Sequence, residues 1–232
     1  MRFIFILFCV SLVMTACQTS TEQADNETVQ ETTKNSSTDA NQGETPNEAT
    51  TSNNNFVATE ITKDLTYVKG DHLLLVDQTK VILPGPGSDS TIIFLTRHGE
   101  RKEGKTSLSP MGGVQATRLA NVLRDAQLKT VYWNDNSSMQ TGFHTATANE
   151  SELLNFNVQD LGSFVNLIKK NDLGSRIMVV SDIITVPEIM NRFLNGGPFK
   201  ALGIDDYNDL YVMILAGEEV VEIYHTKMYK LQ

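Results

Sequence analysis

The stretch Thr91-Ile-Ile-Phe-Leu-Thr-Arg-His-Gly-Glu-Arg101 begins as an apolar run and ends abruptly in charged residues. An apolar run of this length, rich in β-branched and aromatic residues, is typical of a buried strand. Open α/β sheets bind ligands just beyond the carboxyl ends of such strands. Arg97 is a permanent cation with donors suited to phosphate, and His98 is a candidate nucleophile or acid–base group. The stretch therefore predicts a strand that ends in a functional site; the alternative is an ordinary charged exit into a loop.

The chain beyond this stretch alternates between helix-like and strand-like patterns. Ser109 and Pro110 suit the N-cap and the first residue of a helix. The apolar face of that helix is expected to comprise Val114, Leu119, Val122 and Leu123. Further strands are predicted at 129–133 and 176–180, further helices at 139–148, 158–170 and 185–193, and a closing hairpin at 209–224. This alternation predicts an α/β domain with a mostly parallel sheet and antiparallel strands at one edge.

Polar residues follow three of the predicted strands. They are Arg97 with His98, the run 134–138, and Ser181 with Asp182. If the three strand ends lie on one edge of the sheet, their side chains line one pocket.

Charge and cysteine usage exclude several functions. The net charge of −9 argues against nucleic acid as a partner, since a phosphate backbone requires a basic face. Both cysteines, Cys9 and Cys17, lie near the N-terminus, so the rest of the chain can form neither an internal disulfide nor a thiolate metal site.

The N-terminus has the pattern of an export signal. Arg2 precedes an apolar run at 3–14, which is shorter than the roughly 20 residues that span a bilayer. The sequence Met-Thr-Ala-Cys at 14–17 resembles a bacterial lipoprotein processing site, which implies a signal peptide at 1–16 and lipidation of Cys17. The alternatives are an ordinary secretory signal and an uncleaved anchor. We therefore expect a lipid-anchored protein of the bacterial cell envelope, held in the outer membrane if there are two, because Gln18 does not resemble an inner-membrane retention signal.

Two segments separate this signal from the main domain. Residues 17–55 are polar and acidic and cannot bury enough apolar surface to fold, which predicts a disordered tether. Residues 56–88 predict a small β extension: a hairpin that turns at 69–71, then a third strand near 80–83. His72 follows the turn and is expected to be a surface residue. The main domain is expected to span 89–232.

Residues 91–224 resemble the histidine phosphatase superfamily, also called phosphoglycerate mutase-like. The resemblance lies in the Arg-His-Gly-Glu at 97–100 and in the Leu-Ser-Pro-Met-Gly at 108–112, where the family has Leu-Thr-Pro-x-Gly before a helix. It extends to the segments 185–189 and 206–211. It implies a three-layer α/β/α sandwich with a mostly parallel sheet, and no cofactor.

The resemblance also implies a mechanism. In the family the first histidine, here His98, attacks the phosphoryl group and becomes a transient phosphohistidine. The arginine beside it, here Arg97, clamps the phosphate together with a second arginine and a second histidine. A nearby carboxylate often protonates the leaving group, and Glu100 is a candidate for this role; the alternative for it is a structural residue in a polar network.

The chain departs from the family in two of these positions. The second arginine should fall near Ser137 or Ser138, and Ser181-Asp182 stands where the family has Gly-His. An aspartate there adds negative charge at a phosphate site. Arg101, Ser138 and Asp182 are therefore pocket candidates, and Arg101 is a possible substitute cation, although a solvated loop is the alternative for it.

These observations support three hypotheses. The first is a degenerate site, weakly active or non-catalytic, that binds a phosphate-bearing small molecule or an envelope protein. The alternative is an active phosphomonoester hydrolase that works through a phosphohistidine at His98. A metal site formed by His98, Glu100 and Asp182 is the third, although no recognisable ligand spacing supports it.

Overall fold

The computed structural model of the protein describes residues 57–85 and 87–229. The predicted signal peptide at 1–16, the predicted lipidation site Cys17 and the predicted tether up to residue 55 lie outside the described residues.

Ten strands and four α-helices make up the described chain. The strands are β1 (Thr59–Glu60), β2 (Leu65–Lys69), β3 (His72–Leu75), β4 (Lys80–Ile82), β5 (Ser90–Arg97), β6 (Thr130–Trp133), β7 (Glu152–Asn155), β8 (Arg176–Ser181), β9 (Asp209–Ala216) and β10 (Glu219–Lys227). The helices are α1 (Pro110–Val122), α2 (Asn136–Asn149), α3 (Leu161–Asn171) and α4 (Thr185–Phe193), with a 3₁₀ turn at Val158–Asp160 before α3.

Seven of the strands form the central sheet, in the order β1-β10-β9-β5-β8-β6-β7. The neighbours β5, β8, β6 and β7 run parallel, whereas β9 pairs antiparallel with both β5 and β10. The predicted mostly parallel sheet with an antiparallel edge hairpin is therefore confirmed.

β5 lies at the centre of the sheet and is covered on both faces. Its alternate residues belong to two different cores, with Ile92 and Phe94 on one face and Ile93 and Leu95 on the other. The first core contains residues of α1 and α2, and the second contains residues of α3 and α4. A strand buried on both faces must be apolar throughout, which explains the unbroken run in the sequence. The three layers confirm the predicted α/β/α sandwich.

The N-terminal extension is a three-stranded antiparallel sheet of β2, β3 and β4, as predicted. Its Leu65, Val68 and Leu73 are fully buried and belong to the same core as α1 and α2. The extension is therefore part of one hydrophobic core with the main domain.

Three local predictions were incomplete or wrong. α2 begins at Asn136, not at 139, because the Asp135 side chain accepts from the Ser138 backbone N–H in a capping box. β7 was not predicted, since its burial is low and its pattern carries little signal. Val114 is 53% exposed and does not belong to the buried face of α1.

No helix within the described residues is both long enough and apolar enough to cross a bilayer.

Candidate functional site

The carboxyl ends of three parallel strands meet at one edge of the central sheet. β5, β8 and β6 are adjacent, and each leads into one of the polar segments found in the sequence. The His98 N–H donates to the Ser181 carbonyl at 2.7 Å, and the Gly99 N–H donates to the Thr141 hydroxyl at 2.9 Å. The expectation that these strand ends share an edge is confirmed.

A cavity of about 590 Å³ opens beside these strand ends. It is lined by Arg97, His98, Arg101, Lys102, Glu103, Gly104, Lys105, Thr106, Asp182, Ile183, Ile204 and Tyr207. Four of these side chains are cationic and two are acidic, although the chain as a whole carries a net charge of −9. The cavity is therefore a local site of attraction for an anion.

His98 is held in one orientation by its neighbour. The ring is 5% exposed, and Nδ1 lies 2.7 Å from the Gly99 carbonyl oxygen. Because a carbonyl only accepts, Nδ1 carries the proton of the neutral ring and Nε2 keeps its lone pair. Burial lowers the pKa of His98, and the charges of Arg101 and Arg97 lower it further against the opposing Gly99 hydrogen bond. The ring is therefore neutral at pH 7 with a nucleophilic nitrogen.

Gly99 fixes this turn against α1. A Cβ at Gly99 would lie 2.7 Å from the carbonyl oxygen of Gly112, which is backbone and cannot move aside cheaply. The close approach of the two segments therefore requires glycine, and it places His98 at the cavity floor.

Arg97 is buried at the carboxyl end of β5. Its Nη1 donates to the carbonyl oxygens of Gly203 at 3.1 Å and Ile204 at 2.6 Å, and the guanidinium lies 3.9 Å from the centre of the Tyr207 ring. Its Nε is buried and has no hydrogen-bond partner among the described residues. A buried donor without a partner at a cavity wall is suited to an anionic ligand.

Arg101 contacts Ser137, the residue near which the resemblance predicts a second arginine. Its Nε donates to the Ser137 hydroxyl at 2.7 Å, and its Nη2 is paired with the Asp135 carboxylate. Burial raises the pKa of Asp135, but hydrogen bonds from Ser138 and Ser137 and the Arg101 charge outweigh it, and the net pKa is lowered. A guanidinium from the His98 loop is thus anchored on the first turn of α2.

Asp182 lines the cavity but directs its oxygens toward α4. Oδ1 accepts from the backbone N–H groups of Ile184 and Thr185, each at 2.8 Å, and Oδ2 accepts from the Thr185 hydroxyl at 2.8 Å. The carboxylate therefore binds backbone N–H groups at the start of α4, where the positive end of the helix dipole offsets part of its charge. The negative charge that the sequence led us to expect beside the cavity is present but partly compensated.

Two predicted site residues do not line the cavity. The Glu100 carboxylate accepts from the Ser109 hydroxyl at 2.6 Å and so anchors the N-terminus of α1. The Ser138 hydroxyl is fully buried and bonds to Asp135 and Asn134. Glu100 therefore holds the start of α1, and Ser138 belongs to the capping box of α2.

Several lining residues were missed in the sequence. These missed residues are apolar: Ile183, Ile204 and Tyr207. Ile204 lies 107 residues after Arg97, to which it is hydrogen-bonded. The only local signal was the family-like segment at 206–211, which indicated a strand approach and no pocket. His144, a spare histidine, is exposed on α2 and does not line the cavity.

The metal hypothesis finds no support in the structure. Within residues 57–85 and 87–229, no three His, Cys, Asp or Glu side chains are grouped so that they hold a metal ion. Glu100 in particular is separated from the cavity that contains His98 and Asp182. The set of His98, Glu100 and Asp182 is therefore not formed.

Comparison by sequence identifies no relative: no family model matches the chain, and no curated protein matches it. Comparison by structure does identify similar proteins. An Escherichia coli protein assigned as an alpha-ribazole-5′-P phosphatase superposes with a TM-score of 0.50 at 12% identity, over 61% of this chain and 99% of that one. Mycobacterial hydrolase 1 superposes with a TM-score of 0.48 at 11% identity, over 61% and 100% of the two chains. A mycobacterial glucosyl-3-phosphoglycerate phosphatase gives 0.45 at 10% identity, over 60% and 98%.

The similarity to the Escherichia coli protein shows that the two chains share a fold. At 12% identity it carries no information about activity or substrate. The sequence resemblance predicted this fold. The prediction is confirmed: the chain has the histidine phosphatase fold.

Proposed function

We propose that the protein binds phosphomonoesters in this cavity and hydrolyses them slowly through a phosphohistidine at His98. The observation that carries the proposal is the hydrogen bond that His98 Nδ1 donates to the Gly99 carbonyl oxygen at 2.7 Å. This bond leaves the Nε2 lone pair to act as the nucleophile. The cationic groups of Arg97 and Arg101 line the same cavity and suit the equatorial oxygens of a transferring phosphoryl group.

The reaction takes two displacements. In the first, the His98 Nε2 lone pair forms a bond to phosphorus while the ester P–O bond breaks and the alkoxide leaves with the bonding pair. In the second, water attacks the phosphohistidine, the N–P bond breaks, and inorganic phosphate is released with the neutral imidazole restored. The leaving oxygen takes its proton from water, because Asp182 is committed to α4 and Glu100 to Ser109.

Slow turnover follows from what the cavity lacks. His98 is the one histidine among the lining residues, so the donor supplied by the family's second histidine is missing. The loss of a single oxyanion donor costs about 10²–10³ in rate. Arg101, anchored on Ser137 and Asp135, supplies the charge of the second arginine from another part of the chain.

A second candidate function is phosphate binding without turnover. It is favoured by the replacements themselves, with Ser138 and Asp182 in the positions of the second arginine and second histidine. In this case the site recognises a phosphate-bearing small molecule or envelope protein and releases it unchanged.

The full-length protein, assayed with p-nitrophenyl phosphate, separates the two functions. The proposal expects slow release of nitrophenol that is abolished in His98→Ala and retained in His144→Ala, since His144 is exposed and outside the cavity. No release by the wild type, combined with binding of inorganic phosphate in calorimetry, favours the second candidate. Release that persists in His98→Ala contradicts the mechanism.

We propose further that the protein is exported and held in the bacterial cell envelope by a lipid on Cys17. The supporting observation is the Met-Thr-Ala-Cys sequence at 14–17 after a short apolar run. In vivo labelling with a fatty acid analogue is expected to mark the wild type and to leave Cys17→Ala unlabelled, with Cys9→Ala as the matched control. Equal labelling of wild type and Cys17→Ala contradicts the anchor.

A further inference from the structure

One wall of the cavity is apolar, in contrast to the basic residues around it. This apolar wall consists of Ile183, Ile204 and Tyr207. The Ile204 side chain is 72% exposed, whereas Ile183 and Tyr207 are half-buried. An exposed aliphatic side chain beside two half-buried apolar ones in a cavity lining offers a contact surface for an apolar group.

The backbone behind the apolar wall is firmly held. The Leu202 N–H donates to the Ile183 carbonyl at 2.9 Å, which joins the loop that carries Ile204 to the turn after β8. Arg97 donates to the Gly203 and Ile204 carbonyls and lies against the Tyr207 ring. The exposed Ile204 therefore projects from an anchored loop, so a ligand that covers it does not first have to order the chain.

The lysines that line another part of the cavity are less able to select a ligand. Lys102 and Lys105 are exposed on the loop after His98, which also carries the acidic Glu103. Among the described residues their ammonium groups form no ion pair, so each would lose side-chain freedom on binding a second anionic group. An anchored apolar wall and an exposed basic rim favour a ligand with one phosphoryl group and an apolar remainder.

We infer that the cavity selects phosphomonoesters of apolar alcohols. The phosphoryl group lies among Arg97, His98 and Arg101, and the hydrocarbon part of the alcohol lies along the apolar wall. This inference rests on the proposed function of the same site. Each methylene removed from water by the wall is expected to strengthen binding about fourfold, so two buried methylenes give about fifteenfold.

Phosphonates test the inference, since their C–P bond is not hydrolysed by the reaction proposed above. The full-length protein is titrated by calorimetry with methylphosphonate, hexylphosphonate and 3-phosphonopropionate. We expect hexylphosphonate to bind at least tenfold tighter than methylphosphonate and tighter than the acidic 3-phosphonopropionate. Equal affinities, or a preference for 3-phosphonopropionate, overturn the apolar-alcohol inference and leave the phosphate site intact. Absence of binding by all three overturns the proposed function as well.

A variant on the exposed surface locates the effect. In Ile204→Ser the ratio of hexylphosphonate to methylphosphonate affinity is expected to fall at least threefold. Val221→Ser, at a 54% exposed position on β10, is the matched control and is expected to keep the wild-type ratio. An unchanged ratio in Ile204→Ser overturns the role of the wall. Both substitutions replace an exposed aliphatic side chain with serine, so both are expected to change the free energy of unfolding only slightly.

Discussion

At the scale of single residues, the ionisation of His98 depends on the two arginines that share its cavity. Burial is the largest cause of its lowered pKa, and the charges of Arg101 and Arg97 add to it. A lowered pKa keeps the imidazole neutral as the pH falls below about 6.5, the ordinary value for histidine. The nucleophile is therefore available across the range in which an unperturbed histidine would begin to protonate.

The Arg101→Gln variant tests whether this arginine serves both the phosphate and the histidine. Turnover is expected to fall about 10²–10³-fold because one oxyanion donor is lost. The acid limb of kcat/KM against pH is expected to move to higher pH, since a cation that lowers the pKa of His98 has been removed. Arg124→Gln, which loses only an exposed bond to Asn121, is the control. A lower rate with an unmoved acid limb contradicts the electrostatic role.

Asp182 combines a structural role and an electrostatic one, which two substitutions separate. Asp182→Ala removes the acceptor for the Ile184 and Thr185 N–H groups at the start of α4 and is expected to lower the free energy of unfolding by about 1 kcal/mol, measured by urea denaturation. Asp182→Asn keeps an oxygen acceptor for the Ile184 and Thr185 N–H groups, so its loss of stability is expected to be smaller.

The same Asp182→Asn variant removes one negative charge from the cavity lining. Inorganic phosphate is expected to bind about two- to fivefold tighter, as for a single charge near a protein surface. Calorimetry measures this directly. Unchanged or weaker binding would mean that the helix dipole already compensates the charge in full.

At the scale of elements, His225 of β10 joins β1 to the rest of the sheet. Its Nδ1 lies 2.8 Å from the Glu60 carboxylate of β1, and its Nε2 lies 3.1 Å from the Asp209 carboxylate at the start of β9. The ring stacks on Tyr211, and Lys227 also lies 3.6 Å from Asp209. Burial lowers the pKa of His225, but the hydrogen bonds and charges of Asp209 and Glu60 outweigh it, and the net pKa is raised.

This contact predicts a pH-dependent attachment of β1. Because the folded-state pKa is raised, the stabilisation is fully present below the ordinary value of about 6.5 and is lost as the pH rises through the raised value. The free energy of unfolding is therefore expected to fall more from pH 6 to 9 in wild type than in His225→Gln, by at most about 1 kcal/mol. His144→Gln is the control. Equal pH dependence in wild type and His225→Gln contradicts the attachment.

The elements also show why parts of the site could not be predicted from the sequence. β5, β6, β8 and the ends that carry His98 and Asp182 were predicted because strand periodicity is local. The start of α2 was missed because the polar run at 134–138 is typical of a loop. Only the structure shows that Asp135 caps α2 through the Ser138 N–H. β7 was missed because a four-residue strand with exposed residues has no distinctive pattern.

The cavity wall was missed for a different reason. Ile204 and Tyr207 reach Arg97 only because the chain returns along β9 beside β5, a contact between residues far apart in sequence. The anchoring of Arg101 on Ser137 likewise spans 36 residues. Such contacts are set by tertiary packing, and a single sequence carries no sign of them.

At the scale of the whole molecule, Arg176 connects the N-terminal extension to the central sheet. This buried residue begins β8, and its guanidinium donates to the carbonyls of Gly70, Ala126 and Pro84, at 2.7 Å for the last. The extension and the helical layer thus share one cation as well as one hydrophobic core.

Arg176→Met is expected to destabilise the whole protein. The carbonyls of Gly70, Ala126 and Pro84 lose their donor, which costs about 3 kcal/mol of the free energy of unfolding. Arg176→Lys keeps the charge but has a single ammonium, so it is expected to recover only part of this loss. Urea denaturation followed by both far-UV and near-UV circular dichroism should show one coincident transition in each variant. Two separate transitions contradict a shared core.

The central claim, that His98 accepts a phosphoryl group, is tested most directly by trapping the intermediate. The full-length protein is mixed with p-nitrophenyl phosphate, quenched at alkaline pH where phosphohistidine is preserved, digested and analysed by mass spectrometry. We expect one phosphoryl group on the peptide that contains His98, labile to acid and absent from His98→Ala. Nitrophenol release without a phosphoryl group on His98, or with one on another residue, would contradict the claim.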